Sequence, residues 1–130
     1  MINNILLITG SATIIIWGTA HLAPTKSVIK DFGDISTDNK NIIKMEWIIE
    51  GLSLIFAGSL VMAITLFGEI KSLTASIVYI ASSVYLFSMA ILSLFTGFRV
   101  NFLPFKLYPL IFTVSGVLIV TGSLLLEVKI

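Results

Sequence analysis

Cysteine is absent from the sequence, which removes disulfides, thiolate metal ligation, thiol redox chemistry and palmitoylation together. Histidine occurs once, at position 21, so a haem held by two imidazoles of this chain is excluded. Charge is scarce as well: Asp, Glu, Lys and Arg make up 12% of the residues, against about 25% in soluble domains. The net charge of +1 comes without a basic tract, and no nucleic-acid partner is expected. The GxSxG, P-loop, GxGxxG, HExxH and TVGYG patterns are missing. DFGDISTD, from Asp31 to Asp38, lacks the alternating oxygen ligands and closing glutamate of a calcium loop. No catalytic residue, metal site or cofactor is predicted; contacts with lipid are.

What the chain has in abundance is apolar length. Of its 130 residues 57% are hydrophobic, and four runs, about 4–22, 45–68, 72–97 and 107–126, are long enough for a membrane span. Their continuity excludes the short alternating segments of a β-barrel, and none has a polar stripe wide enough to face water. The expected fold is all-α: one domain over residues 1–130, an integral membrane four-helix bundle. The N-terminal run lacks a basic n-region and a cleavage site, so it is expected to persist as the first helix.

The polar segment between the first two runs is predicted to hold a short helix in the membrane interface. Pro24 and Thr25 start it, Gly33 ends it, and Val28, Ile29 and Phe32 share one face. Thr37 or Asp38 is the expected cap of the second long helix. The connection from Gly68 to Ser72 is so short that the second and third long helices are expected to be antiparallel neighbours. Pro109 is placed in the first turn of the fourth, and Phe98, Phe102, Phe105 and Tyr108 suit the headgroup region.

Orientation in the cell membrane follows from the basic residues. Lys26, Lys30, Lys40, Lys44, Arg99 and Lys106 fall in or beside the first and third loops, whereas Lys71 and Lys129 lie at the opposite end. The imbalance predicts those loops in the cytoplasm and both termini outside.

Small residues recur along three helices: Gly51, Gly58 and Thr65; Ser76, Ser83, Ala90 and Gly97; Ser115 and Gly122. Such stripes let backbones approach closely and mark packing faces. The end bearing the first and third loops collects Trp17, His21, Glu46, Glu50, Ser93, Thr96, Arg99, Lys106 and Tyr108. Glu46 and Glu50 share a helix face. Glu46 at the boundary can be solvated, but Glu50 lies one turn, about 6 Å, deeper. There a carboxyl group needs a partner, a proton or a water-filled cavity. Two readings stand. Glu50 locks the bundle by pairing with His21, Arg99 or Lys44, or Glu50 and His21 carry a proton or bind a ligand, with Gly51 opening access to the backbone. A metal site of His21, Glu46, Glu50 and Met45 has suitable ligand types but no specific spacing.

Helix 1 has no acid, unlike that of small multidrug exporters. The polar loop with its Phe32–Gly33 pair, followed by Trp47, Glu50 and Gly51 in "W..EG", resembles small four-helix membrane proteins related to the DoxX group over the first half of the chain. The resemblance implies a four-helix fold and no activity. From the residues themselves the expectation is a non-catalytic accessory or stabilising subunit of a larger membrane complex, with lipid and other membrane subunits or further copies of itself as partners. The alternative is a small transporter, channel or ligand-binding protein using His21, Glu50 and Arg99.

Overall fold

Four helices long and apolar enough to cross a bilayer dominate the computed structural model, which describes residues 1–126. They are α1 (Ile2–Leu22), α3 (Thr37–Phe67), α4 (Leu73–Phe95) and α5 (Leu103–Leu124), with a short α2 (Thr25–Asp31) and a 3₁₀ turn at Gly97–Arg99. The chain is an all-α, multi-pass membrane bundle, and no strand occurs among the described residues. Lys129, used in the orientation argument, lies outside them.

The helix boundaries differ from the apolar runs where polar residues extend a helix beyond the hydrocarbon. α3 begins at Thr37, not near residue 45, because the Ser36 hydroxyl accepts from the Asn39 N–H at 3.2 Å. Thr37 and Asp38, the expected caps, are first-turn residues instead, where the Asp38 charge favours the helix N-terminus. With 31 residues α3 is about 46 Å long, more than the ~30 Å of a hydrocarbon core, so its first turns stand in the headgroup zone. α5 starts at Leu103, with Pro104 in its first turn; Pro109 lies inside the helix and has no N–H to give the Phe105 carbonyl. α4 stops at Phe95, and the tighter turn through Arg99 follows. The short α2 follows Pro24 as anticipated, and the chain turns after it at Gly33, whose φ of 70° is left-handed.

α1 and α5 each pack against two other long helices. α1 packs mainly against α3 and α5, and α4 packs mainly against α5. Two crossings are close enough to require glycine: a Cβ on Gly18 would stand 2.9 Å from the Gly51 carbonyl oxygen, and one on Gly58 would stand 2.8 Å from that of Ser11. Gly51 and Gly58 therefore face α1, and Gly122 meets it from α5, beside Leu7 and the Asn3 carbonyl. Ser76, Ser83 and Ala90 are buried on α4. The contribution of α1 was not anticipated, although Ser11 and Gly18 carry the same seven-residue spacing.

α3 and α4, joined by the short connection, touch only lightly. Two hydrogen bonds tie them, Thr65 Oγ1 to Tyr79 OH at 3.2 Å and Ser53 Oγ to Tyr85 OH at 2.7 Å. Beyond Ser53 and Tyr85, toward the α2 end, a cleft lies between them. The two helices are antiparallel neighbours as expected, but α4 packs mainly against α5.

Candidate ligand-binding cleft

The back wall of the cleft is built where α1 ends. A helix leaves its last carbonyls without backbone donors. The Leu22 carbonyl accepts from the Thr25 hydroxyl at 2.6 Å, and the His21 carbonyl accepts from the Trp47 indole N–H at 3.0 Å. His21 returns the contact, its Nε2 lying 2.9 Å from the Trp47 carbonyl oxygen. The two rings stack at 3.9 Å between centroids and 18° between planes. Two residues thus fasten α1 to α3 with a reciprocal pair of hydrogen bonds and a stacked contact.

The partners assign the imidazole tautomer. A carbonyl only accepts, so Nε2 carries a hydrogen; in the neutral ring Nδ1 is then an acceptor, and it meets the Tyr108 hydroxyl. Tyr108 therefore donates to His21. Its ring stands edge-on to Trp17 at 5.4 Å and contacts Phe105 at 5.2 Å and Phe112 at 5.4 Å. Aromatic packing of this kind holds α1, α3 and α5 in register at one end of the bundle.

In front of this wall the cleft has a volume of about 550 Å³. α3 contributes Ile42, Ile43, Glu46, Trp47, Ile49, Glu50 and Ser53; α4 contributes Tyr85, Met89, Leu92 and Ser93, with Thr96 and Gly97 just past its end; Phe105 and Tyr108 come from α5, and Phe32 stands beyond α2. Ile49 and Leu92, half or more exposed, place its side opening against the acyl chains, while Ile42 and Glu46 stand toward the headgroups. The lining is mostly apolar, and its ionisable side chains, apart from tyrosine hydroxyls, are Glu46 and Glu50.

Glu50 is the deeper of the two, with 27% of its side chain exposed, and its Oε2 lies 3.8 Å from His21 Nε2. That separation is too long for a hydrogen bond, and the Nε2 hydrogen already serves the Trp47 carbonyl. Nearby hydroxyls are engaged too. Ser53 donates to the Glu50 carbonyl at 2.8 Å, which makes Tyr85 the donor to Ser53. Ser93 and Thr96 donate to their own helix at Met89 and Leu92, and Tyr108 donates to His21. Among the described residues no side chain hydrogen-bonds the Glu50 carboxyl group.

The sequence-predicted site residues are divided accordingly. His21 and Glu50 come together, and Glu46 sits exposed at the cleft mouth. Arg99 does not join them: it is exposed on the 3₁₀ turn and absent from the lining, as are Lys44 and Lys106. Gly51 does not open the backbone to a ligand, since the Leu22 side chain covers it. No group of three or more metal-ligating side chains forms among the described residues. Sequence reasoning placed Tyr108 at this level but not Trp47, and did not see that the two together hold His21. Ser53 was missed; its polarity midway along an apolar helix was the available signal.

The chain matches no protein-family model, and comparisons with curated proteins and with solved structures return no match. The likeness of layout to the DoxX group therefore carries no argument about function.

Proposed function

We propose that the chain is a non-catalytic membrane protein that binds a small amphiphile in the cleft between α3 and α4. The observation that carries this reading is the cleft itself: about 550 Å³, mostly apolar, open both sideways and toward the headgroups, with a few polar groups at its back. Ligand sites commonly span roughly 300–1,000 Å³ with this mixture of apolar wall and few polar groups. An amphiphile dissolved in the bilayer enters such a site tail first from the side, with its headgroup kept at the level of Glu46 and Glu50.

The test uses the two tryptophans. Trp47 is 8% exposed and lines the cleft, whereas Trp17 is half-buried and lies outside it. Annular lipid reaches Trp17 more readily than Trp47. A brominated single-chain amphiphile is expected to quench Trp47 preferentially, measured in Trp17→Phe and Trp47→Phe variants, and Ser53→Phe, which fills the cleft, is expected to abolish the preference. Equal quenching unaffected by Ser53→Phe argues against the reading.

The accessory-subunit reading draws on the same open side, where a partner's transmembrane helix would lie. It loses one support, because Gly51, Gly58 and Gly122 face α1 within the bundle. A stoichiometric partner cross-linked through residues 49 and 92 would favour it over a small ligand.

A further inference from the structure

We infer that the ligand of this cleft is a lipophilic cation, an amine or quaternary ammonium on an apolar body, held with its charge at the Glu50 carboxylate. This deepens the amphiphile-binding reading and rests on it. Three observations select the charge. Both carboxyl side chains of the lining are acidic groups without a basic counterpart there, since Lys44, Arg99 and Lys106 stand outside it and are exposed. An anionic headgroup would meet Glu46 and Glu50 with no lysine or arginine to offset them.

Second, the donors around Glu50 are all engaged elsewhere. His21 serves Trp47, Tyr108 serves His21, and Tyr85 serves Ser53. A carboxylate in an apolar surround calls for compensation by a cation or a donor, and otherwise takes up a proton. Supplying that compensation from within would break a hydrogen bond that fastens α1 to α3, α5 to α1 or α4 to α3. A ligand ammonium supplies it without breaking any.

Third, the wall is aromatic. Trp47, Tyr85, Phe105 and Tyr108 line the cleft around Glu50, and aromatic rings attract cations through their electron-rich faces, more strongly where water is excluded. A quaternary ammonium, which has no N–H to donate, is as suited to such a wall as a primary amine. Metal ions are not: only two carboxyl groups and an imidazole with both nitrogens engaged are at hand.

The experiment compares two probes of one shape, a decyl chain ending in trimethylammonium and the same chain ending in tert-butyl, which replaces the charged nitrogen by carbon. Binding of each radiolabelled probe is measured on the purified full chain in mild detergent. The expected result is at least tenfold tighter binding of the ammonium probe, a preference lost in Glu50→Gln and kept in Arg99→Gln, which lies outside the cleft. Glu50→Asp, which keeps the charge but withdraws it by one methylene, is expected to retain part of the preference; it carries the test should Glu50→Gln fail to elute as the wild type does. If both probes bind alike and Glu50→Gln changes neither, the cation assignment is overturned while amphiphile binding stands. If neither probe binds, both are overturned.

Discussion

His21 and Trp47 each reach the other's backbone carbonyl with a ring N–H, at 2.9 and 3.0 Å, while their rings stack. One pair of residues thereby satisfies an orphan carbonyl at the end of α1, fixes the imidazole, and sets where Glu50 stands relative to it.

Removing the indole N–H isolates the capping part of this arrangement. Trp47→Phe keeps a stacking ring but leaves the His21 carbonyl without its donor, and is expected to cost about 1–2 kcal/mol. Trp17→Phe is the contrast: its buried Nε1 has no hydrogen-bond partner, so losing it is expected to be neutral or mildly stabilising. Thermal unfolding in detergent, followed by circular dichroism, ranks the two, and equal losses contradict the assignment.

The glycine crossings predict an order. Gly58→Ala and Gly18→Ala press a methyl against backbone carbonyls that cannot step aside, at 2.8 and 2.9 Å. Each is expected to cost about 1–3 kcal/mol by forcing α1 from α3. Gly51→Ala meets side chains only, Leu22 and the His21 ring edge at 3.1 Å, which can shift where a backbone carbonyl cannot, and is expected to cost less. The same unfolding assay reads all three; Gly51→Ala as the worst of them would overturn this packing.

Arg99 supplies a negative prediction. Exposed and outside the cleft, it is screened from Glu50 by solvent, and Arg99→Gln is expected to leave ammonium-probe affinity within about twofold. A tenfold change in equilibrium binding would restore Arg99 to the site.

At the N-terminus of α3, Ser36→Ala removes the acceptor of the Asn39 N–H. The expected loss is about 0.5–2 kcal/mol, confined to the turns outside the hydrocarbon. Hydrogen exchange in nanodiscs should show faster exchange over residues 38–44 and no change beyond Trp47. Uniform acceleration along α3 contradicts a local cap.

The four spans were legible because apolar length is a property of the chain itself, and the level of His21 and Glu50 followed from counting turns. Hydropathy marks only where α3 enters lipid, but its turn chemistry located the start to within a residue or two, with Thr37 or Asp38 the expected cap where Ser36 caps it. The cleft was not legible. A short connection implied that α3 and α4 lie together, but how closely they pack depends on all four helices at once, and α4 packs mainly against α5. Arg99 shared a level with Glu50 in the count of turns; the 3₁₀ turn after α4 leaves it on the exposed surface instead.

The most direct measurement is the distance from a bound cation to Glu50. In proteoliposomes with ¹³C-labelled glutamate and a ¹⁵N-labelled decyltrimethylammonium probe, solid-state dipolar recoupling is expected to dephase one side-chain carboxyl signal, absent in Glu50→Gln. Dephasing of no glutamate, or of a signal that survives in Glu50→Gln, would contradict the assignment of this cleft.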